Sequence, residues 1–235
     1  MTTRAVVQAR TTSTRLPGKV LADVGGEPLL WLLLQRLACA SSVDEIVVAT
    51  SADSTDDAIE TLCEEHGVAV HRGPLDDVLA RYVGAIAGFN GTVVRITADC
   101  PLIDPTLVDA VVRLLQAEPG TTYASNIEPR TFPDGLDVEA FPAAVLRDAE
   151  KESTAPDLRE HVTLGLRERE GPRPAAIVHE PPLGHLRWTV DDAADLEFVR
   201  AVVHRLGARR YAAGLDEILA AVRRRPSLAE AGLRG

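Results

Sequence analysis

The chain has 235 residues, 46% hydrophobic and 4% aromatic, which suits one soluble α/β domain whose core is built from Val, Leu, Ile and Ala. A formal charge of -10 excludes a general nucleic-acid binder, because neutralising several phosphates needs a broad basic surface; any anion must be held locally. The longest purely apolar stretch, residues 28–34, is far below the roughly 20 residues needed to span a bilayer, and the N-terminus lacks a signal-peptide apolar region, so a cytoplasmic protein is expected.

Residues 5–8 read as a buried strand, and the loop that follows as a strand-to-helix connection, where ligands gather in open α/β sheets. This loop carries Arg10, Arg15 and Lys19, several hydroxyls and Gly18, with no carboxylate before Asp23. All but two of the 25 basic residues are Arg, the exceptions being Lys19 and Lys151, so a Lys in this loop points to a need for a compact ammonium. Backbone N–H groups of the turn and three cationic side chains together describe an anion cradle; the plainer reading is solvated surface charge. The loop is not a Walker loop, since G-x-x-x-x-G-K-[ST] is absent.

Gly25 and Gly26 make a turn, residues 28–40 have the length and Leu content of a buried helix, and residues 45–50 form a second strand. A capped helix spans 54–66, a short strand 68–70, and Asp76 is expected to cap a helix carrying Val78, Leu79, Tyr82, Val83 and Ile86. Residues 92–97 are the next strand, placing Asp99 just beyond its C-terminal end, and Pro105 opens a helix to about residue 117. The alternation predicts a mostly parallel sheet with helices on its faces. Beyond Tyr123 prolines loosen the pattern: a strand and loops around 132–139, helices at about 142–151 and 156–169, a strand at 175–179, a helix from Asp192 to near Leu206, and a helical tail over 215–225 and beyond.

Cys39, Cys63 and Cys100 are odd in number and widely spaced, which predicts buried reduced thiols rather than a disulfide framework or a metal knuckle. His66, His179, His185 and His204 share no metal-ligand spacing.

Residues 9–21, Ala-Arg-Thr-Thr-Ser-Thr-Arg-Leu-Pro-Gly-Lys-Val-Leu, resemble the A-R-x-x-S-x-R-L-P-x-K-x-L signature of the cytidylyltransferases that activate acidic sugars, including the KDO and sialic acid enzymes. Residues 71–82, from His71-Arg72-Gly73 to Arg81-Tyr82, look like the R-G-x-x-D-D-V-L-x-R-Y motif of the SpsF-like branch from spore-coat polysaccharide synthesis. The segments 95–104, 132–139 and 159–163 resemble that branch too, in the expected order, so the resemblance covers residues 4 to about 200. One departure is Thr11-Thr12, where the branch often has Met-Gly; a Thr in place of that Gly narrows the room beside the phosphates.

The resemblance implies a single-domain nucleotidyltransferase of the GT-A type over residues 1–235, often dimeric, using CTP and magnesium, with about 121–170 forming the acceptor-site and dimerisation region. It implies that Arg10, Arg15 and Lys19 hold the triphosphate, that Ser13 also contacts the nucleotide, that Ala9 approaches the cytosine through its backbone, and that Arg72 touches base or ribose. Asp99 matches the family's metal-binding carboxylate and Asp191 the later one, with Asp192 as helix cap; capping is also the plainer role for either residue. Asp134, Asp137 and Glu139 are expected to receive sugar hydroxyls or amino groups, and Arg159 and His161 to face an acceptor carboxylate or phosphate; the plainer alternatives are an Arg159–Glu160 ion pair and a structural His. The expected reaction is CMP transfer from CTP to an acidic sugar or related acceptor, with release of pyrophosphate. The alternatives are a phosphate or phosphonate acceptor, a glycosyltransferase of similar fold, and a non-catalytic nucleotide-sugar-binding protein.

Overall fold

The structure is a computed structural model and describes residues 1–117, 119–167, 174–223 and Gly232. Its first strand, β1 (Thr3–Gln8), is apolar on both sides: Ala5 and Val7 enter one core and Val6 the other. Such a strand belongs in the middle of a sheet covered on both faces. It pairs in parallel with β2 (Glu45–Ser51) and with β4 (Thr92–Thr97), Val7 standing opposite Val48 and Ile96. Outside β2 lies β3 (Ala69–Gly73), also parallel. Beyond β4 the sheet turns mixed: β6 (Glu139–Pro142) runs antiparallel to β4, followed by the two-residue strands β5 (Ala124–Ser125) and β7 (Ala175–Ala176). The seven-stranded order is therefore β3-β2-β1-β4-β6-β5-β7. This is the single-domain, mostly parallel α/β architecture expected of the sequence.

One face is covered by α1 (Leu29–Leu37), α2 (Asp57–Glu65), α4 (Pro105–Ala117), α8 (Ala193–Leu206) and α9 (Leu215–Arg223). The other core contains residues of α3 (Val78–Ala85), α5 (Ala143–Glu152) and α7 (Leu164–Arg167). Between α5 and α7 lies the short helix α6 (Pro156–Glu160). Arg36, fully buried on α1, rivets the first layer by donating to the carbonyls of Ile103 (2.9 Å), Leu102 (3.2 Å), Ala213 (2.6 Å) and Arg210.

Several boundaries move. The cap of α3 is Asp77, whose side chain accepts from the Ala80 N–H at 2.9 Å, and not Asp76. The expected helix over 156–169 divides into α6 and α7 because Val162 takes a φ of +42°, a conformation that interrupts a helix; residues 168–169 lie outside the described residues, as do 224–225 of the expected tail. Of the strand expected around 132–139 only Glu139 joins the sheet, in β6. Cys63 and Cys100 are buried, whereas Cys39, just past α1, is exposed. Among the described residues no helix is long and apolar enough to cross a membrane.

Candidate active site

Strand order makes the site. From β1 the chain moves outward to β2 and β3, then returns to place β4 on the other side of β1. At such a switch point the loops leaving the C-terminal ends of adjacent strands diverge and open a crevice. Here that crevice is a cleft of about 240 Å³ lined by Gln8 at the end of β1 and Arg10, Ser13, Thr14, Arg15 and Lys19 after it, by Thr97, Ala98 and Asp99 at the end of β4, and by Asp191 ahead of α8.

The loop after β1 is pinned at both ends. At its start Thr11 donates its N–H and hydroxyl to Asp56 Oδ1, at 2.7 and 2.8 Å. The other Asp56 oxygen accepts from the N–H and hydroxyl of Ser51, so one carboxylate ties the loop to the end of β2. Burial alone would raise the Asp56 pKa, but these hydrogen bonds outweigh it and hold the carboxyl below its ordinary range. At the loop's far end the Gly18 N–H returns to the Thr11 carbonyl at 2.8 Å. Gly18 has φ +72°, the left-handed region open to glycine without strain, and this turn delivers Lys19 into a single 3₁₀ turn, Lys19–Leu21. The hydroxyl of Thr11 is spent on Asp56 and the Thr55 carbonyl, and Thr12 is exposed; neither lines the cleft.

Lys19 is the buried floor of the site. Its ammonium donates to the Val190 carbonyl at 2.7 Å and lies 3.1 Å from Asp191 Oδ1 and 3.4 Å from Asp99 Oδ2. Arg15, 64% exposed at the mouth, reaches Asp191 Oδ2 at 3.0 Å, and Arg187 reaches the same oxygen at 2.7 Å. Burial raises the pKa of Asp191, yet Lys19, Arg187 and Arg15 more than compensate and hold it below the usual carboxylate range. Asp99 and Asp191 come from distant segments, joined because the Val190 N–H and Thr189 hydroxyl donate to the Asp99 carbonyl, at 2.8 and 3.2 Å. Asp192 caps α8, accepting from Ala194 and Asp195 N–H groups, as expected of it.

The donor set suits a divalent cation. The Lys19 ammonium stands between the Asp99 and Asp191 carboxylates, a cation already placed where their charges converge. Among the described residues no group of three or more His, Cys, Asp or Glu side chains could hold a metal by itself; Asp99 and Asp191 are a two-carboxylate donor set of the kind a hard divalent cation shares with phosphate oxygens and water. The thiol of Cys100, 3.7 Å from Asp99, is pushed well above its ordinary pKa by burial and by the charges of Asp99, Asp137 and Asp134, which leaves it an inert neighbour.

The structure thus brings Arg10, Ser13, Arg15, Lys19, Asp99 and Asp191 together. Ala9 is buried and its N–H donates to the Ala49 carbonyl at 3.1 Å. Arg72 lies outside the cleft lining, with its guanidinium on the Ser51 and Asp53 carbonyls and on Asp57 and Glu60 at 2.7 and 2.6 Å. Asp134 and Asp137 share Arg130, at 3.4 and 2.8 Å, on a loop whose Asp134 carbonyl accepts from Trp188 N–H, two residues from the Asp99 contact. Glu139 is sealed in the core with Arg95, Tyr123 and Thr163, Arg159 is bound to Asp77 (2.6 Å) and Glu150 (3.2 Å), and His161 is an exposed residue ending α6. Two further residues carry no readable signal: Gln8, which lines the cleft and whose buried amide oxygen has no partner among the described residues, and Arg187, which lies outside the cleft lining and grips Asp191 from behind it.

A mostly parallel sheet with cations and two carboxylates converging at its switch point defines a nucleotide-handling α/β enzyme. The chain belongs to the cytidylyltransferase family, whose pattern matches residues 4–193, and it is thereby a CTP-dependent nucleotidyltransferase. It is 31% identical over 233 residues, 95% of each chain, to the spore coat polysaccharide biosynthesis protein SpsF of Bacillus subtilis (strain 168). It is 36% identical over 136 residues, 54% of this chain and 52% of the relative, to a 3-deoxy-manno-octulosonate cytidylyltransferase of Herminiimonas arsenicoxydans. Among solved structures, a cytidylyltransferase from Leptospira borgpetersenii serovar Hardjo-bovis (strain JB197) superposes with a TM-score of 0.91 at 29% identity, covering 97% of this chain and 96% of that one.

Proposed function

We propose that the chain transfers CMP from CTP to an acidic sugar or related acceptor with release of pyrophosphate, and that the cleft at the ends of β1 and β4 is where it does so. The observation that carries this reading is the convergence of Arg10, Arg15 and Lys19 with Asp99 and Asp191 in one cleft of a chain of this family. Arg10 and Arg15 at the mouth and Lys19 at the floor hold the triphosphate, and the Ser13 side chain lines the same wall. Their charges face the bond to be broken, where the departing pyrophosphate gathers negative charge, so they stabilise the transition state more than the bound substrate.

Asp99 and Asp191 would hold a magnesium ion, which supplies charge neutralisation at the α-phosphate and helps orient the attacking oxygen. The acceptor side we assign to Asp134 and Asp137, because their loop abuts residues 187–190 beside the Asp99 and Asp191 carboxylates.

The test is pyrophosphate release by the purified protein with magnesium and each of the four ribonucleoside triphosphates, across a panel of ketoacid sugars, sugar phosphates and phosphonates. Turnover is expected with CTP, and Lys19→Ala or Asp99→Ala should lower it by about 100-fold or more. Turnover with another triphosphate and none with CTP would overturn the nucleotide assignment; full activity in both variants would overturn the site.

A further inference from the structure

We infer that Arg187 is a positioning residue: by bridging Asp191 to Asp195 it fixes Oδ2 of Asp191 and leaves Oδ1 as the single oxygen that Asp191 offers a divalent cation. The inference rests on the proposed function, and it concerns a residue that no sequence motif singled out.

Three cations touch Asp191, but they are not equivalent. Lys19 and Arg15 reach it across the cleft from the loop after β1, and both are part of the grip on the triphosphate. They are therefore free to move to a phosphate. Arg187 sits four residues before Asp191 on the same segment and is tied at both ends of its fork: Nη2 donates to Asp191 Oδ2 at 2.7 Å and Nη1 to Asp195 Oδ1. Asp195, itself only 8% exposed, closes the ring, since its Oδ2 accepts the N–H of Asp191 at 2.8 Å and of Asp192 at 3.1 Å. The backbone beneath is held too, with Trp188 N–H on the Asp134 carbonyl and Val190 N–H on the Asp99 carbonyl.

A planar guanidinium can join two carboxylates with separate N–H groups in fixed directions; an ammonium cannot reproduce that geometry. The remaining oxygen, Oδ1, is the one now 3.1 Å from the Lys19 ammonium, which also approaches Asp99. When Lys19 turns to a phosphate, Oδ1 of Asp191 and the Asp99 carboxylate are left facing one point. A group that orients a metal ligand in this way typically governs metal affinity by 10- to 100-fold, on the order seen for outer hydrogen-bond partners of metal sites.

The experiment is a Mn²⁺ titration followed by electron paramagnetic resonance, with α,β-methylene-CTP present so that no turnover occurs, on the parent, Arg187→Met, Arg187→Lys and Asp195→Asn, each first checked for folding by circular dichroism. Arg187→Met is expected to weaken Mn²⁺ about tenfold or more, Arg187→Lys to recover part of the loss, and Asp195→Asn to weaken it less than Arg187→Met. In turnover, the magnesium concentration for half-maximal rate should rise by a similar factor while kcat at saturating magnesium falls less. Mn²⁺ affinity in folded Arg187→Met equal to that of the parent overturns the inference. If that variant does not fold, unchanged affinity in both Arg187→Lys and Asp195→Asn overturns it. A parent protein that binds no Mn²⁺ with the analogue overturns the proposed function along with the inference, whereas a binding parent with indifferent variants overturns the inference alone.

Discussion

The Lys19 ammonium satisfies Asp99, Asp191 and the Val190 carbonyl, and the proposed function asks the same group to move to a phosphate. A compact ammonium with three donors makes that exchange in a site where it is only 9% exposed, and a guanidinium, larger and planar, does not fit the same point. Lys19→Arg should therefore keep the charge yet lower kcat about 100-fold in the pyrophosphate assay, a loss of the size found when one oriented donor to a developing charge is removed; kcat equal to the parent's would show that only charge matters. The composition had already marked this residue, because a chain that otherwise uses Arg almost everywhere places a Lys here. Asp56 and Arg187 carried no such mark. Each looks like an ordinary surface charge in the sequence, and only the fold shows the one pinning Thr11 and Ser51 and the other gripping Asp191. Asp56→Ala strands the buried donors of Ser51 and the half-buried N–H of Thr11 and should cost about 3 kcal/mol in denaturant unfolding, since each unsatisfied buried group costs about 1–3 kcal/mol; a loss within error of zero would show that Asp56 does not pin the loop.

β1, β2 and β4 are readable because each carries an apolar run that the fold buries on both faces, and β4 falls on the expected residues 92–97. The far half of the sheet, beyond β4, is not. Strands β5 and β7 have two residues each, too few to show a period, and the segment over 132–138 is held by tertiary contacts that no local pattern announces. Gly135 shows why that segment must be what it is: φ is +107°, and a Cβ would lie 2.5 Å from the Trp188–Thr189 backbone. Gly135→Ala should destabilise the fold by at least about 1–3 kcal/mol from backbone strain alone, and by displacing residues 187–190 it should also reduce CTP turnover. Unchanged unfolding free energy and unchanged turnover would contradict that link between the loop and the cleft. Glu139 likewise reads in the motif as an acceptor contact, yet β6 turns it inward beside Arg95, with Tyr123 and Thr163 donating to its other oxygen at 2.7 and 2.6 Å. Glu139→Ala leaves a buried guanidinium without its carboxylate and should cost about 3–5 kcal/mol, measured by the same unfolding experiment.

The molecule as a whole couples its acid stability to carboxylates buried for other reasons. Asp56, Asp109 and Asp191 have an ordinary pKa of 3.8 and Glu139 one of 4.5, and all four are held lower in the folded chain. Burial, the largest influence on each, raises the value, and hydrogen bonds and opposite charges outweigh it. Because the folded values lie below the unfolded ones, the unfolded chain takes up protons first as the solution is acidified. The stability these groups contribute is complete above about pH 5 and is lost as pH falls through their folded values, so their share should be intact at about pH 5 and the thermal midpoint should drop below about pH 4. Burial and the Arg81 charge lower the pKa of His71 from its ordinary 6.5, which adds a separate loss as pH falls below 6.5. A thermal midpoint that does not fall below about pH 4 would contradict the carboxylate assignment.

The same overall order, with β1 between β2 and β4, brings the loop after β1 and the carboxylates of Asp99 and Asp191 to one crevice, the place the proposed function gives to substrate. A crystal structure of the protein soaked with α,β-methylene-CTP and Mn²⁺ would show this outright. The triphosphate should lie against Arg10, Arg15 and Lys19, the anomalous peak of manganese should fall between Asp99 and Asp191, and the Lys19 ammonium should have left the two carboxylates. A triphosphate bound away from this cleft, or Lys19 still seated on Asp99 and Asp191 with nucleotide and metal present, would contradict it.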